Sequence, residues 1–246
     1  MKKIRSGFEN LDKQLGGGFQ PGELIVVAAR PTMGKTQFML EMALHMSSEN
    51  IPVGLFSLDM CTPKLEERLV KFMSGVSAWK MSTPLITPFE ANKYKSAEIT
   101  LGKLPLFLDD SKGMSIDALV CQVRTLVCNS GVKVIMVDYV QLMTVEHEST
   151  FLEKASSVVS VMKGLAEDLG IVIIVTSQLC HQMGNGQLDD LYDTLGSATQ
   201  HVDKVLIFQR PDILEYYQAK QKENILEGLL IFVSNPNDGK FVVATF

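Results

Sequence analysis

Clustered cysteine, long apolar runs and an excess of positive charge are all missing from this 246-residue chain. The four cysteines, Cys61, Cys121, Cys128 and Cys180, form no CxxC pair and have no histidine at zinc spacing. That excludes a zinc module and a disulfide framework, and the thiols read as buried and reduced. Apolar runs such as Ile171–Val175 fall far short of the ~20 residues that span a bilayer. Met1-Lys2-Lys3-Ile4-Arg5 leads into no apolar h-region, so no secretory signal is expected and a cytoplasmic location follows. The 23 Lys+Arg against 28 Asp+Glu give a net charge of −5 and a pI near 5.4. A uniformly basic nucleic-acid coat and a polybasic membrane binder are thereby excluded.

What is present is apolar content of 46%, sufficient for a core without staples in a chain long enough to bury roughly 70–75% of its unfolded surface. Strand-like apolar runs fall at Glu23–Ala29, Val53–Leu58, Pro105–Asp109, Val132–Val140, Ile171–Gln178 and Lys204–Gln209. Helix-period stretches lie between them at Thr36–Ser47, Lys64–Ser74, Pro88–Leu101, Ile116–Asn129 and Phe151–Leu169. Continuous rather than alternating strands mean that both sheet faces are covered, as in a mostly parallel α/β sheet flanked by helices. Leu229–Ser234 and Phe241–Phe246, joined through Asn237-Asp238-Gly239, read as a C-terminal β-hairpin extending that sheet. With no repeat and no low-complexity linker, residues 1–246 are expected to form a single domain.

The first strand runs into Ala29-Arg30-Pro31-Thr32-Met33-Gly34-Lys35-Thr36-Gln37 and then a helix. This is a phosphate-binding loop with Ala29 at the usual first glycine, a position that tolerates alanine where no positive φ is needed. Backbone N–H groups of Arg30 to Gln37 converge on a helix N-terminus whose dipole favours phosphate. Gly34 permits close approach, Lys35 reaches the terminal phosphates, and the Thr36 hydroxyl ligates Mg²⁺. A bound Mg-nucleotide also needs a carboxylate at a neighbouring strand end, and Val134-Ile135-Met136-Val137-Asp138 supplies one; the competing role for Asp138 is a strand cap. Asp59, after Val53–Leu58, is either a base for the attacking water or an N-cap before Thr62-Pro63. Thr176-Ser177-Gln178 ends the fifth strand with a polar tip suited to sensing a γ-phosphate.

Ser6-Gly7-Phe8-Glu9-Asn10-Leu11-Asp12, Gly16 to Leu24, Ala28 to Thr36, Phe56-Ser57-Leu58-Asp59-Met60, Val137 to Leu142 and Ser177-Gln178-Leu179 occur in one order. Together they resemble the RecA-like ATPase core of DnaB-type replicative helicases, with the match thinning beyond Leu179 to Gly196-Ser197 and Val202-Asp203. The resemblance implies a RecA-like P-loop ATPase acting in DNA replication as a homohexameric ring around single-stranded DNA. It implies Lys35, Thr36 and Asp138 holding Mg-ATP, Asp59 at the catalytic carboxylate, and Gln178 coupling the γ-phosphate to the DNA loops. It also implies Arg210 packed on the adenine and Phe246 on its other side.

Four departures from that family suggest an alternative, a degenerate paralogue that binds nucleotide without unwinding and serves a structural or regulatory role. Asp59 replaces the family's Glu, a side chain shorter by about 1.5 Å. Phe232 and Ser234 align where the family carries the Lys and Arg that complete a neighbour's ATP site, leaving Lys240 or Arg210 to substitute. From Gln141 to Gln200 two lysines, Lys154 and Lys163, face eight acids, where DNA contacts should be basic; Gly184-Asn185-Gly186 retains backbone N–H donors. Finally, the sequence opens at the ATPase core, so oligomerisation is expected to rest on that core rather than on an N-terminal domain and linker helix. A small-molecule kinase on the same loop lacks the lid-like Arg cluster it would need.

Other features read as structural. Met39, Met42 and Met46 fall at helical spacing and read as core filler; Trp79 reads as packing, and His45 as a surface helix residue. His181 and His201 flank the acidic loop, and Leu214–Asn224, with Tyr216 and Tyr217, reads as a helix.

Overall fold

A computed structural model describes residues 2–29, 34–138, 151–178, 201–209, 230–234 and 241–245, with only the backbone described at 151–155, 208–209, 230–234 and 241–245. Eight strands form one sheet: β1 (Leu24–Ala29), β2 (Val53–Ser57), β3 (Leu106–Asp109), β4 (Val134–Asp138), β5 (Val172–Gln178), β6 (Lys204–Gln209), β7 (Leu230–Ser234) and β8 (Phe241–Thr245). Their order is β3-β2-β4-β5-β1-β6-β7-β8. The first six are parallel, and β7 and β8 close one side antiparallel, as the hairpin reading anticipates.

The helices are α1 (Glu9–Gln14), α2 (Lys35–Ser48), α3 (Thr62–Ser74), α4 (Ala78–Met81), α5 (Pro88–Leu101), α6 (Ile116–Ser130) and α7 (Phe151–Leu169). Successive strand side chains point to opposite faces, and the core divides accordingly. Ile25, Val27, Leu55, Val134, Met136, Val172 and Ile174 pack with α1, α2 and α3. Val26, Ala28, Phe56, Ile135, Val137, Ile173 and Val175 pack with α6 and α7. Met39, Met42 and Met46 are fully buried in the first of these layers. Two short helices, α1 and α4, go beyond the sequence reading, and Leu214–Asn224 lies outside the described residues.

Two expectations are corrected. The thiols are free but not buried: Cys61 is half-buried, and Cys121 and Cys128 are exposed, while Cys180 lies outside the described residues. On α6 the core is filled by Ile116, Leu119 and Val123, which turns Cys121 and Cys128 to solvent. Trp79 is 69% exposed, because α4 is a single turn that packs Ala78 and Met81 inward instead.

The entry to the sheet is fixed by a bridge between Ile4 and Phe19, with Ile4 N–H donating to Phe19 O at 2.9 Å and Phe19 N–H to Ile4 O at 2.8 Å. Gly18 sits beside it at φ +121°, and a Cβ there would lie 2.3 Å from Ile4 O. Gly18→Ala combines a forbidden φ with a backbone clash, so it is expected to lower unfolding stability by about 3 kcal/mol in a denaturant titration.

Candidate functional site

The parallel strands end together, and the register decides what meets there. Ser57 on β2 pairs with Asp138 on β4, and Ala29 on β1 with Gln178 on β5. Alternation then puts Asp138, after Val134 and Met136, on the face that carries α2. Thr176 and Gln178, after Val172 and Ile174, share that face.

Helix α2 begins immediately after Gly34, whose φ of +95° is the left-handed conformation that a side chain would resist. Its first turn contains no acidic residue, so the N–H groups and dipole at this end of a 14-residue helix meet no carboxylate of their own. The Thr36 hydroxyl donates to Asp138 Oδ2 at 2.7 Å, across 102 residues of sequence. Asp138 is itself only 3% exposed, and its Oδ1 accepts from the Thr176 hydroxyl at 2.5 Å. Lys35 is buried at the same corner and donates to Ala29 O at 3.0 Å. Burial pushes its pKa below the usual 10.5, with the Asp138 charge opposing that shift. Ala29 itself is the last residue of β1, and glycine is not required there because its φ is not positive.

The donor set fits a hard divalent cation: one hydroxyl and one carboxylate in contact, beside a helix end suited to phosphate. Gln37 follows on α2 and donates to Glu41 Oε1 at 2.9 Å, so its amide is engaged within the helix. Arg30, Pro31, Thr32, Met33, Arg210 and Phe246 lie outside the described residues.

Asp59 is exposed just beyond β2, where Leu58 N–H donates to Asp138 O at 2.8 Å. The N-cap alternative does not describe it. The cap of α3 is Cys61, and the Thr62 N–H is taken by Asp110 Oδ2 at 2.7 Å. Sequence reasoning missed Asp110, whose signal would have been its place at the end of a strand adjacent to β2. A groove of about 550 Å³ beside α3 and α5 is lined by Glu66, Glu67 and Glu98, the wrong charge for a phosphate.

Lys163, one of two lysines between Gln141 and Gln200, is committed elsewhere. It donates to Gly22 O at 3.0 Å and to Asp203 Oδ2 at 2.7 Å, and pairs with Glu167 at 3.0 Å. Burial alone would lower its pKa, but the bonds to Asp203 and Glu167 outweigh burial and raise it. Asp203 also accepts from Leu24 N–H at 2.7 Å, so this cluster pins α7 and β6 to the start of β1, the end remote from Thr36. Glu167 and Asp168 are exposed, as the reading of a solvated helix face expects. His45 is half-buried, with its ring against Gly7 and Nε2 3.6 Å from Glu49. His201 is half-buried, and His181 lies outside the described residues.

Comparison with known proteins gives this geometry a family. The DnaB-like helicase C terminal domain family matches residues 3–240. The chain belongs to that family. It is 30% identical over 232 residues to the replicative DNA helicase DnaB of Geobacillus stearothermophilus, covering 91% of this chain and 50% of that protein. Over 236 residues it is 29% identical to DnaB of Rickettsia bellii, covering 89% and 46% respectively. The chain thus spans about half the length of the curated relatives it matches. Among solved structures it resembles an isolated ATPase domain, with TM-score 0.85, 26% identity, and 99% of this chain and 87% of that one covered. A DnaB-like replicative helicase described with its interactions with primase matches at TM-score 0.84 and 25% identity, over 99% and 59%. The fold is RecA-like, a parallel six-stranded core flanked by helices. No helix among the described residues is long and apolar enough to cross a membrane.

Proposed function

We propose that residues 1–246 form one RecA-like ATPase domain that binds Mg-ATP at the start of α2 and hydrolyses it during DNA replication. The observation that carries this is the Thr36–Asp138 contact at 2.7 Å, with Lys35 buried beside it at a helix N-terminus free of acids in its first turn. Backbone N–H groups of Arg30, Thr32, Met33, Gly34 and Gln37 cradle the phosphates around Pro31, and Lys35 supplies the fixed charge. Thr36 and Asp138 hold the metal, which when bound neutralises charge on the β- and γ-phosphates. Asp59 orients the attacking water and accepts its proton, and Gln178 senses the γ-phosphate from the end of β5. Arg210 and Phe246 flank the adenine. By family membership the partners are single-stranded DNA and further copies of the chain in a homohexamer, in the cytoplasm.

A second reading, nucleotide binding without unwinding, draws on the commitment of Lys163 to Asp203 and Glu167. That leaves a stretch of eight acids with Lys154 as its other cation. Phe232 and Ser234, at the expected finger positions, lie on β7. ATP turnover measured with and without single-stranded DNA at two salt concentrations separates the readings. The helicase-like reading expects stimulation that weakens steeply with salt. The degenerate reading expects turnover that is low and indifferent to DNA.

A further inference from the structure

We propose that Thr176 is a positioning residue for the metal site, holding the Asp138 carboxylate in place for Thr36 and the cation. The inference rests on the nucleotide-binding reading above. Asp138 is buried, and each of its oxygens has a hydroxyl donor: Oδ2 from Thr36 at 2.7 Å and Oδ1 from Thr176 at 2.5 Å. The two donors differ in kind. Thr36 is half-buried and opens α2, so it is the partner that meets a ligand. Thr176 is fully buried within β5, so its hydroxyl reaches no ligand and acts only through Asp138.

A carboxylate has two stable faces and a broad terminal torsion. A charge-assisted bond to Oδ1 from a rigid, β-branched side chain fixes that torsion and leaves Oδ2 aimed at Thr36. Valine in place of Thr176 would match its shape, so strand propensity and packing do not call for the hydroxyl. Its strand, β5, lies between β4 and β1, pairing Thr176 with Val27, so the bond also ties Asp138 to the strand that leads into the phosphate loop.

The test is an equilibrium titration of the 246-residue chain with a fluorescent ATP analogue, in EDTA and across a magnesium series. Thr176→Val is expected to raise the magnesium concentration for half-maximal enhancement of binding by about 10-fold or more, as outer-shell partners of metal ligands typically do. Affinity in EDTA is expected to stay within about two-fold, since uniform damage to the site would lower both. Thr176→Ser, which keeps the hydroxyl, is expected to recover most of the magnesium response, and Thr176→Ala to behave as the valine variant. An unchanged magnesium series in both hydroxyl-free variants, or equal loss with and without metal, would overturn the inference while leaving nucleotide binding intact. Loss of cooperative melting in both, with the serine variant folded, would overturn it by assigning the hydroxyl to folding alone. Wild type that binds no analogue at any magnesium concentration would instead overturn the nucleotide-binding reading, and this inference with it.

Discussion

Lys35→Ala is expected to abolish the rise in melting temperature that ATP confers, while leaving the nucleotide-free protein about as stable as wild type. The two effects part because the lysine serves the ligand rather than the fold. Its amine is buried against Ala29 O, and burial holds its pKa below 10.5, which is the mark of a charge kept at a cost. In the unfolded chain the amine is solvated and binds its proton more tightly. Stability therefore rises with pH from the lowered folded value up to 10.5, a contribution the alanine variant lacks. With phosphate bound, the same charge is paired, and losing it should weaken ATP at least ~100-fold. At a ligand concentration ~100 times the wild-type Kd, stabilisation of about 2.7 kcal/mol would fall to about 0.4 kcal/mol. Thermal melts of both proteins over an ATP series check this. Equal shifts would remove Lys35 from the site.

The second large effect concerns Asp59. Asp59→Asn is expected to lower kcat by about 10²-fold or more with the Kd for ATP unchanged, the loss that a general base carries. Stability should not move, because the α3 N-terminus is served by Asp110 and not by Asp59. Asp59→Glu is expected to act in the other direction. It extends the carboxylate by about 1.5 Å, and displacements of that size are worth ~10²-fold in rate. Single-turnover ATP hydrolysis of the three proteins reads both effects. If neither substitution changes the rate, the degenerate reading gains, since a site without a neighbour's cation has little turnover to lose.

Much of this site was legible in the sequence for a physical reason: the chemistry sits where strands end. Continuous apolar runs marked β1 and β4, and the residues that break them, Gly34-Lys35-Thr36 and Asp138, are polar because they leave the core. The β7–β8 pairing was equally plain from two apolar runs around Asn237-Asp238-Gly239. What local pattern did not carry was strand order. Thr176 was visible only as part of a polar tip; its bond to Asp138 depends on β5 lying next to β4, a long-range choice. Lys163 was counted as a free loop charge, although Asp203, forty residues on, holds it. Short elements were lost as well: α1 has six residues and α4 has four, too few turns for a period to emerge. Cys121, Cys128 and Trp79 were assigned inward by residue type, whereas helix phase and single-turn geometry put them outside.

The net charge of −5 takes on meaning through the structure. One of the two lysines in the acidic stretch from Gln141 to Gln200 holds the base of the sheet together, so it is unavailable to nucleic acid. Nucleotide binding is independent of that balance, because its residues lie on β1, α2, β4 and β5. Direct titration with a labelled ATP analogue in magnesium, followed by chelation with EDTA and competition with unlabelled ATP, therefore tests the central claim most directly. Saturable one-to-one binding that weakens in EDTA and is displaced by ATP is the expected result. Binding that ignores both EDTA and competitor, or no saturable binding, would contradict it.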